Sequence, residues 1–218
     1  MKPIIDRMKV DRPVKWLFTG DSITHGALHT WGYRDYVELF AERIRYELSR
    51  RRDVIVKTAI SGWTTGNIRE DIDWNILQFE PDVVSLMIGM NDCCGGPDGL
   101  GTFRDNYNFI LDRVLENPKR RIILHTTNPI WSEANDRRGH LPIYIDAIRE
   151  IARARQLPLI DHWTYWNQSW PLSPIRRTTW MNDPIHPGNY GHRAFAFLLL
   201  RELGLWDDNA NTCRLFLP

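Results

Sequence analysis

The sequence predicts a three-layer α/β/α domain built on a parallel sheet of five strands. Two observations support this prediction. Short apolar segments rich in β-branched residues alternate along the chain with segments whose apolar residues recur at helical spacing. The segments between the apolar runs are long enough to hold a helix, and strands joined in this way pair in parallel with right-handed crossovers. We therefore expect helices on both faces of the sheet.

The order of the elements follows from the same periodicities. Strands are expected at residues 14–18, 53–58, 83–88, 121–126 and 157–161, where apolar and β-branched residues dominate. Helices are expected at residues 33–48, 67–79, 102–116, 142–155 and 188–203, where apolar residues form a stripe. Residues 162–187 are rich in proline and are expected to be irregular.

Length and composition indicate the class of protein. The 218 residues, 43% of them hydrophobic, suffice for one domain over residues 1–218 with a substantial core. A net charge of +1 gives the chain no general attraction to nucleic acid. The apolar run at residues 194–200 is too short for a membrane span, and the N-terminus lacks an apolar run of signal-peptide length. We expect reduced cysteines and a cytoplasmic location.

The segment at residues 20–26 is the first candidate for chemistry. Two glycines, Gly20 and Gly26, bracket Ser22 where the first strand must turn. A serine on a sharp turn at the carboxyl end of a strand presents its hydroxyl at the edge of the sheet where ligands bind. The alternative is an ordinary strand-to-helix turn in which Asp21 or Ser22 caps the helix.

The segment at residues 183–187 offers the partners that such a serine needs. Asp183 and His186 lie three residues apart, and prolines stiffen the segment. The carboxylate can fix one imidazole nitrogen and leave the other as general base for Ser22. The alternative is that Asp183 caps a turn and that His186 lies on the surface.

Two further positions suit the stabilisation of a negatively charged oxygen. Gly62 follows the second strand and has no side chain to keep a substrate away from its backbone N–H. Asn91 follows the third strand and offers a side-chain amide. With the N–H of Ser22, they would form three donors directed at one developing oxyanion. Turn formation at Gly62 and loop capping at Asn91 are the alternatives.

Taken together, these segments resemble the sequence blocks of the SGNH hydrolases in the GDSL esterase and lipase superfamily. The blocks occur in the family's order and span most of the chain. They are residues 20–26, 60–65, 89–92 and 183–187. The resemblance implies a flavodoxin-like fold with a five-stranded parallel sheet.

The resemblance also implies a role for each residue. Ser22 is expected to be the nucleophile, His186 the general base and then acid, and Asp183 the residue that orients the histidine. Gly62 and Asn91 are expected to complete the oxyanion hole with the Ser22 amide. The family uses neither a metal nor an organic cofactor, so we expect none here.

Several features of the sequence suggest a class of ester substrate. The chain is similar to intracellular bacterial esterases that deacetylate oligosaccharides, and the bulky Trp63 beside Gly62 favours a short acyl group. Asp21 and Trp63 are candidate substrate-binding residues. A sugar could stack on one of several later tryptophans, namely Trp131, Trp166, Trp170 and Trp180.

Other functions stay open at this stage. They are a lysophospholipase or thioesterase and a carbohydrate-binding protein without catalysis. A nucleotide-binding protein is disfavoured because the chain lacks the usual glycine-rich phosphate loop. The expected partner is a small-molecule ester, with an acetylated sugar as the leading candidate. The sequence leaves the formation of a homo-oligomer open.

Overall fold

The central feature of the protein, in the computed structural model, is a parallel sheet. The model describes residues 1–172 and 174–214. Within them, five strands pair in the order β2-β1-β3-β4-β5. The strands are β1 (Lys15–Gly20), β2 (Val54–Lys57), β3 (Val83–Met87), β4 (Arg121–His125) and β5 (Leu159–Ile160). This order and the parallel pairing confirm the predicted flavodoxin-like architecture.

Helices follow the strands and cover the sheet. In chain order they are α1 (Lys2–Met8), α2 (Ser22–His25), α3 (Tyr36–Glu42), α4 (Thr65–Glu70), α5 (Ile72–Asn75), α6 (Leu100–Leu115), α7 (Asn135–Arg138), α8 (Leu141–Ala154), α9 (His162–Ser169), α10 (Pro174–Thr179) and α11 (Asn189–Glu202). Helix α3 packs against α11, and α6 packs against both α4 and α8. Among the described residues, no helix combines the length and apolar character that a bilayer crossing requires.

The core lies on both sides of the central strands. Every residue of β3 is buried, as expected for a strand covered by helices on two faces. On the α3 side, the ring of Phe40 packs 5.0 Å from Trp16 and 5.1 Å from Phe18. These contacts fix α3 on β1 and leave the carboxyl end of β1 free for the turn that carries Ser22.

The structure differs from the expected helices at two places in the first half of the chain. The N-terminal helix α1 was not predicted. The helix expected at residues 67–79 is divided into α4, α5 and a 3₁₀ turn, Leu77–Phe79. Helix α5 ends where Asn75 turns inward, because its buried side chain donates a hydrogen bond to the Thr58 carbonyl (2.8 Å) and accepts one from the Thr19 hydroxyl (2.7 Å).

The segment expected to be irregular, residues 162–187, contains α9 and α10. The side chain of Asp161 caps α9 by accepting a hydrogen bond of 3.0 Å from the backbone N–H of Thr164. Pro174 is the first residue of α10, a position that proline tolerates well. The prolines therefore start and separate helices in this segment. That residues 1–218 form one domain stays a prediction.

Candidate active site

The strand order brings three loops to one edge of the sheet. Strand β1 lies between β2 and β3, so the loops that carry Ser22, Gly62 and Asn91 follow three neighbouring strands at their carboxyl ends. Ser22 is the first residue of α2. The turn before it needs Gly20, whose φ is +150° and where an added Cβ would lie 1.9 Å from the Met87 carbonyl oxygen.

Three side chains form a hydrogen-bonded row at this edge. Ser22 Oγ lies 2.9 Å from His186 Nε2, and His186 Nδ1 lies 2.7 Å from Asp183 Oδ2. The other carboxylate oxygen of Asp183 accepts hydrogen bonds from the backbone N–H groups of Ile185 and His186, each 2.8 Å long. The carboxylate is therefore held from two sides while it contacts the imidazole.

The surroundings of Asp183 favour its ionised form. Partial burial opposes ionisation of Asp183, but the hydrogen bonds from the His186 ring and from two backbone amides outweigh it and lower its pKa to about 2. Asp183 is then ionised at neutral pH and can accept a hydrogen bond from Nδ1–H of His186. In the tautomer that carries its proton on Nδ1, Nε2 has a lone pair for the Ser22 hydroxyl.

The segment that carries His186 is fixed as a tight turn. Met181 and Pro187 form an antiparallel bridge, and the backbone N–H of Asn182 donates to the His186 carbonyl at 2.9 Å. From outside the turn, Asn128 Nδ2 donates to the carbonyl of Ile185 at 3.0 Å. These bonds hold the turn against the end of β4.

Asn91 is oriented by two neighbours. Its Nδ2 donates to the Trp63 carbonyl at 2.9 Å, and its Oδ1 accepts from Arg138 Nη2 at 3.0 Å. An amide nitrogen carries two hydrogens, so one N–H of Asn91 has no partner among the described residues. Gly62 is exposed, with φ of +84° and no described atom within 4 Å of an added Cβ. Both positions are thus open to a ligand.

The three loops are joined directly to one another. Asp92 Oδ1 accepts from the backbone N–H of Thr65 at 2.9 Å and from its hydroxyl at 2.5 Å. His25 Nδ1 lies 3.0 Å from Ser61 Oγ, which connects α2 to the loop that contains Gly62. Sequence reasoning missed these connections, although all four residues belong to or border the recognised blocks.

Asp21 lies in the interior of the protein. Its carboxylate is fully buried, and Oδ1 caps α2 by accepting from the Ile23 N–H at 3.0 Å. Oδ2 has no partner among the described residues. Burial is the main cause that raises the pKa of Asp21 to about 7, and the nearby Asp92 adds to it. Contact between Asp21 and substrate stays a prediction, and this burial does not favour it.

The tryptophans are divided between core and surface. Trp166 and Trp180 are fully buried, with ring centroids 5.0 Å apart, so the expectation that they stack on a sugar is wrong. Trp131 and Trp170 are partly buried. The half-buried ring of Trp63 packs 6.5 Å from that of Trp74, and its effect on an acyl pocket stays a prediction.

The loop between α2 and α3 carries residues that the sequence did not single out. Trp31 is 70% exposed and Tyr33 is 57% exposed. The preceding His29 stacks on the ring of His186, with centroids 3.5 Å apart. No motif marks these residues, and the length of chain between Gly26 and α3 is the one sequence signal for a loop at this edge.

One group of described side chains has the spacing of metal ligands. His29, Asp183 and His186 each offer an atom within 4.8 Å of the others. The two imidazole planes, however, are stacked and only 8° apart. Parallel stacked rings direct their nitrogen lone pairs side by side, so the pair does not converge on one ion. This geometry does not fit a metal site, and the expected absence of a cofactor stays a prediction.

Comparisons with known proteins agree with the geometry. The sequence model of the GDSL-like lipase/acylhydrolase family matches residues 18–194. The chain is similar to the acetylxylan esterase of Geobacillus stearothermophilus, with 29% identity over an alignment of 220 positions. The alignment covers 90% of this chain and 97% of that protein.

Solved structures show that the chain shares its fold with known hydrolases. A catalytic mutant of an acetylxylan esterase from Geobacillus stearothermophilus superposes with a TM-score of 0.74 and 23% identity over 90% of this chain and 96% of that one. An alpha/beta hydrolase enzyme from the metagenome of Lake Arreo, Spain, gives a TM-score of 0.69 at 23% identity, with 88% and 95% covered. The family match covers most of the chain, and the protein therefore belongs to the GDSL-like lipase/acylhydrolase family and is a carboxylic ester hydrolase.

Proposed function

We propose that the protein hydrolyses short-acyl esters, above all acetyl esters of carbohydrates, through a triad of Ser22, His186 and Asp183. The observation that carries the proposal is the hydrogen-bonded row in which Ser22 Oγ lies 2.9 Å from His186 Nε2 and Asp183 contacts Nδ1 at 2.7 Å. This is the arrangement that activates a serine for attack on a carbonyl carbon.

The proposed reaction has two halves. His186 Nε2 takes the Ser22 proton while Oγ attacks the ester carbon, and the carbonyl oxygen becomes an oxyanion. His186 then returns the proton to the leaving alcohol as the C–O bond breaks, which leaves an acyl group on Ser22. In the second half, water attacks this acyl-enzyme and gives a proton to His186 Nε2. The bond between the acyl carbon and Oγ then breaks, His186 returns the proton to Oγ, and the acid leaves.

The oxyanion is proposed to bind three donors: the N–H groups of Ser22 and Gly62, and the unpartnered N–H of Asn91. Each such donor contributes several kcal/mol to a transition state when its direction is fixed in advance, about 3 kcal/mol in measured cases. The hydrogen bonds of Asn91 to Trp63 and Arg138 provide that fixed direction.

A cleft beside the triad carries several charged side chains, which supports a sugar as the alcohol part of the substrate. The cleft has a volume of about 400 Å³ and extends from the turn at residues 183–186 to the segment at residues 133–138. Glu133, Asp136, Arg137 and Arg138 lie along it. Charged side chains suit the hydroxyls of a sugar better than the alkyl chain of a lipid. The acetylxylan esterase relative makes acetylated xylo-oligosaccharides the first substrates to test.

The acyl preference is tested with a series of p-nitrophenyl esters. We expect kcat/KM for the acetate to exceed that for the octanoate by about tenfold or more, because a long alkyl chain in this cleft would lie against charged side chains. A preference for octanoate or longer chains would contradict the short-acyl proposal and favour the lysophospholipase alternative.

The exposed aromatic residues of the loop after His29 provide a surface for a sugar ring. Trp31 adopts a left-handed backbone conformation, with φ of 51°, which is rare for a bulky residue and which points to a functional constraint. Its large exposed face and that of Tyr33 suit stacking on the flat face of a pyranose.

We expect Trp31→Ala to raise KM for acetylated xylo-oligosaccharides by about fivefold, the equivalent of about 1 kcal/mol, and to leave KM for p-nitrophenyl acetate unchanged. Tyr46→Ala is the matched control because Tyr46 is also 70% exposed and lies in the π-helical turn after α3. An equal effect of the two substitutions on the oligosaccharide KM would contradict the role of Trp31.

A further inference from the structure

His29 lies beside two residues of the proposed triad, His186 and Asp183. It lies in the 3₁₀ turn Ala27–Thr30, directly after α2. Its ring covers one face of His186, with centroids 3.5 Å apart and planes 8° apart. Its Nδ1 is 3.8 Å from Asp183 Oδ2, beyond hydrogen-bond distance. The His29 carbonyl accepts a hydrogen bond from Asn182 Nδ2, which connects the 3₁₀ turn to the turn that holds His186.

We propose that His29 is a positioning residue of the hydrolysis, which holds the plane of the His186 ring by stacking on it and stays uncharged while His186 takes the proton. This inference rests on the proposed triad. It assigns a task to a residue that lies outside the four sequence blocks of the family.

The first part of the task is geometric. The torsion that rotates an imidazole about its Cβ–Cγ bond has a broad energy profile, so packing must fix the plane of the ring. His186 must hold that plane to keep Nε2 on Ser22 and Nδ1 on Asp183 at the same time. A flat ring at van der Waals distance on one face of His186 restricts the rotation and keeps water from that face.

The second part is electrostatic. His186 becomes a cation when it takes the Ser22 proton, and a neutral aromatic ring stacked on a cation is tolerated or favourable. A second cation at 3.5 Å would oppose it strongly. The protonation state of His29 therefore affects how readily His186 can act as a base.

The surroundings of His29 favour its uncharged form. Partial burial lowers its pKa below the usual value, and the charge of His186 and that of His25 on α2 lower it further, whereas Asp183 acts in the opposite direction. We therefore expect His29 to stay uncharged to a lower pH than an isolated histidine does.

The geometric part is tested with two substitutions. His29→Ala removes the stack and is expected to lower kcat for p-nitrophenyl acetate about tenfold, with KM changed less than about twofold. His29→Phe keeps a flat ring and is expected to restore most of the lost kcat. His140→Ala, at an exposed histidine before α8, is the matched control and should retain the kcat of the unmodified protein. Thermal unfolding of each variant checks that the fold is intact.

The electrostatic part is tested by the acid limb of the pH profile. In the unmodified protein, protonation of His29 adds one inactivating proton at the acid end, so the slope of log kcat/KM against pH is expected to steepen there. In His29→Phe this additional proton has no binding site, and the acid limb should be less steep than in the unmodified protein. A purely structural role for His29 would not change this slope.

Three results would overturn the inference: an unchanged kcat in His29→Ala, an equal loss in the Ala and Phe variants, or the same acid slope with and without His29. Failure of the triad itself gives a different result, because Ser22→Ala would then retain activity. If Ser22→Ala is inactive and His29→Ala is normal, only the present inference fails.

Discussion

Ser22→Ala is expected to lower kcat for p-nitrophenyl acetate about 10⁵-fold, to a rate near that of the oxyanion donors and binding alone. The physical reason is that Ser22 Oγ lies 2.9 Å from His186 Nε2, and among the described residues no other hydroxyl makes this contact. His186→Ala should cost about as much, because the two groups act as one unit. The fold should survive, since alanine keeps the Cβ of the serine and lacks only its hydroxyl.

A fluorophosphonate probe provides a second measurement of the same prediction. It should label the unmodified protein at Ser22 and leave Ser22→Ala unlabelled. Ser132→Ala, at an exposed serine, is the matched control and should be labelled and active. Normal turnover in Ser22→Ala would show that the nucleophile is another residue. A protein that binds acetylated sugars but neither reacts with the probe nor hydrolyses esters would be a carbohydrate-binding protein on the same scaffold.

Asn91→Ala is expected to lower kcat by about 10² to 10³, with a much smaller change in KM. The loss falls on kcat because the donor is needed by the oxyanion more than by the neutral carbonyl. Arg138→Ala should produce an intermediate loss, since it removes the 3.0 Å hydrogen bond that orients the amide but keeps the amide itself.

Asn117→Ala is the matched control for this prediction, because Asn117 is exposed and lies after α6, at the opposite end of the sheet from the triad. Its kcat should equal that of the unmodified protein. If Asn91→Ala keeps kcat within about threefold, the oxyanion is stabilised by backbone donors alone.

The sheet and the row of three side chains could be predicted because each leaves a local signal. Strand β3 is an apolar run interrupted only by Ser85, and the pair Asp183 and His186 lies within four residues of sequence. The parallel order then determines which loops meet. The contact between Ser22 and His186 required no more than this topology and a turn of the correct length.

Other features could not be predicted because their cause is not local. The stack of His29 on His186 joins two segments at opposite ends of the chain, and neither residue carries a signal for the other. Trp166 is buried in α9, and Trp180 packs against it. The sequence does not predict this helix, because the prolines that follow its capping residue, Asp161, indicate an irregular segment. Composition gives the number of aromatic residues in a chain, but it does not show which of them are buried in the core.

The cross-links between the second and third loops have a consequence for engineering. Because Thr65 binds Asp92 and Trp63 binds Asn91, a change of length or sequence in one loop displaces the other. A chimaera that takes residues 61–65 from another esterase therefore needs the matching residues 89–92 from the same donor. The two loops should also be inherited together, as a single module of substrate selectivity.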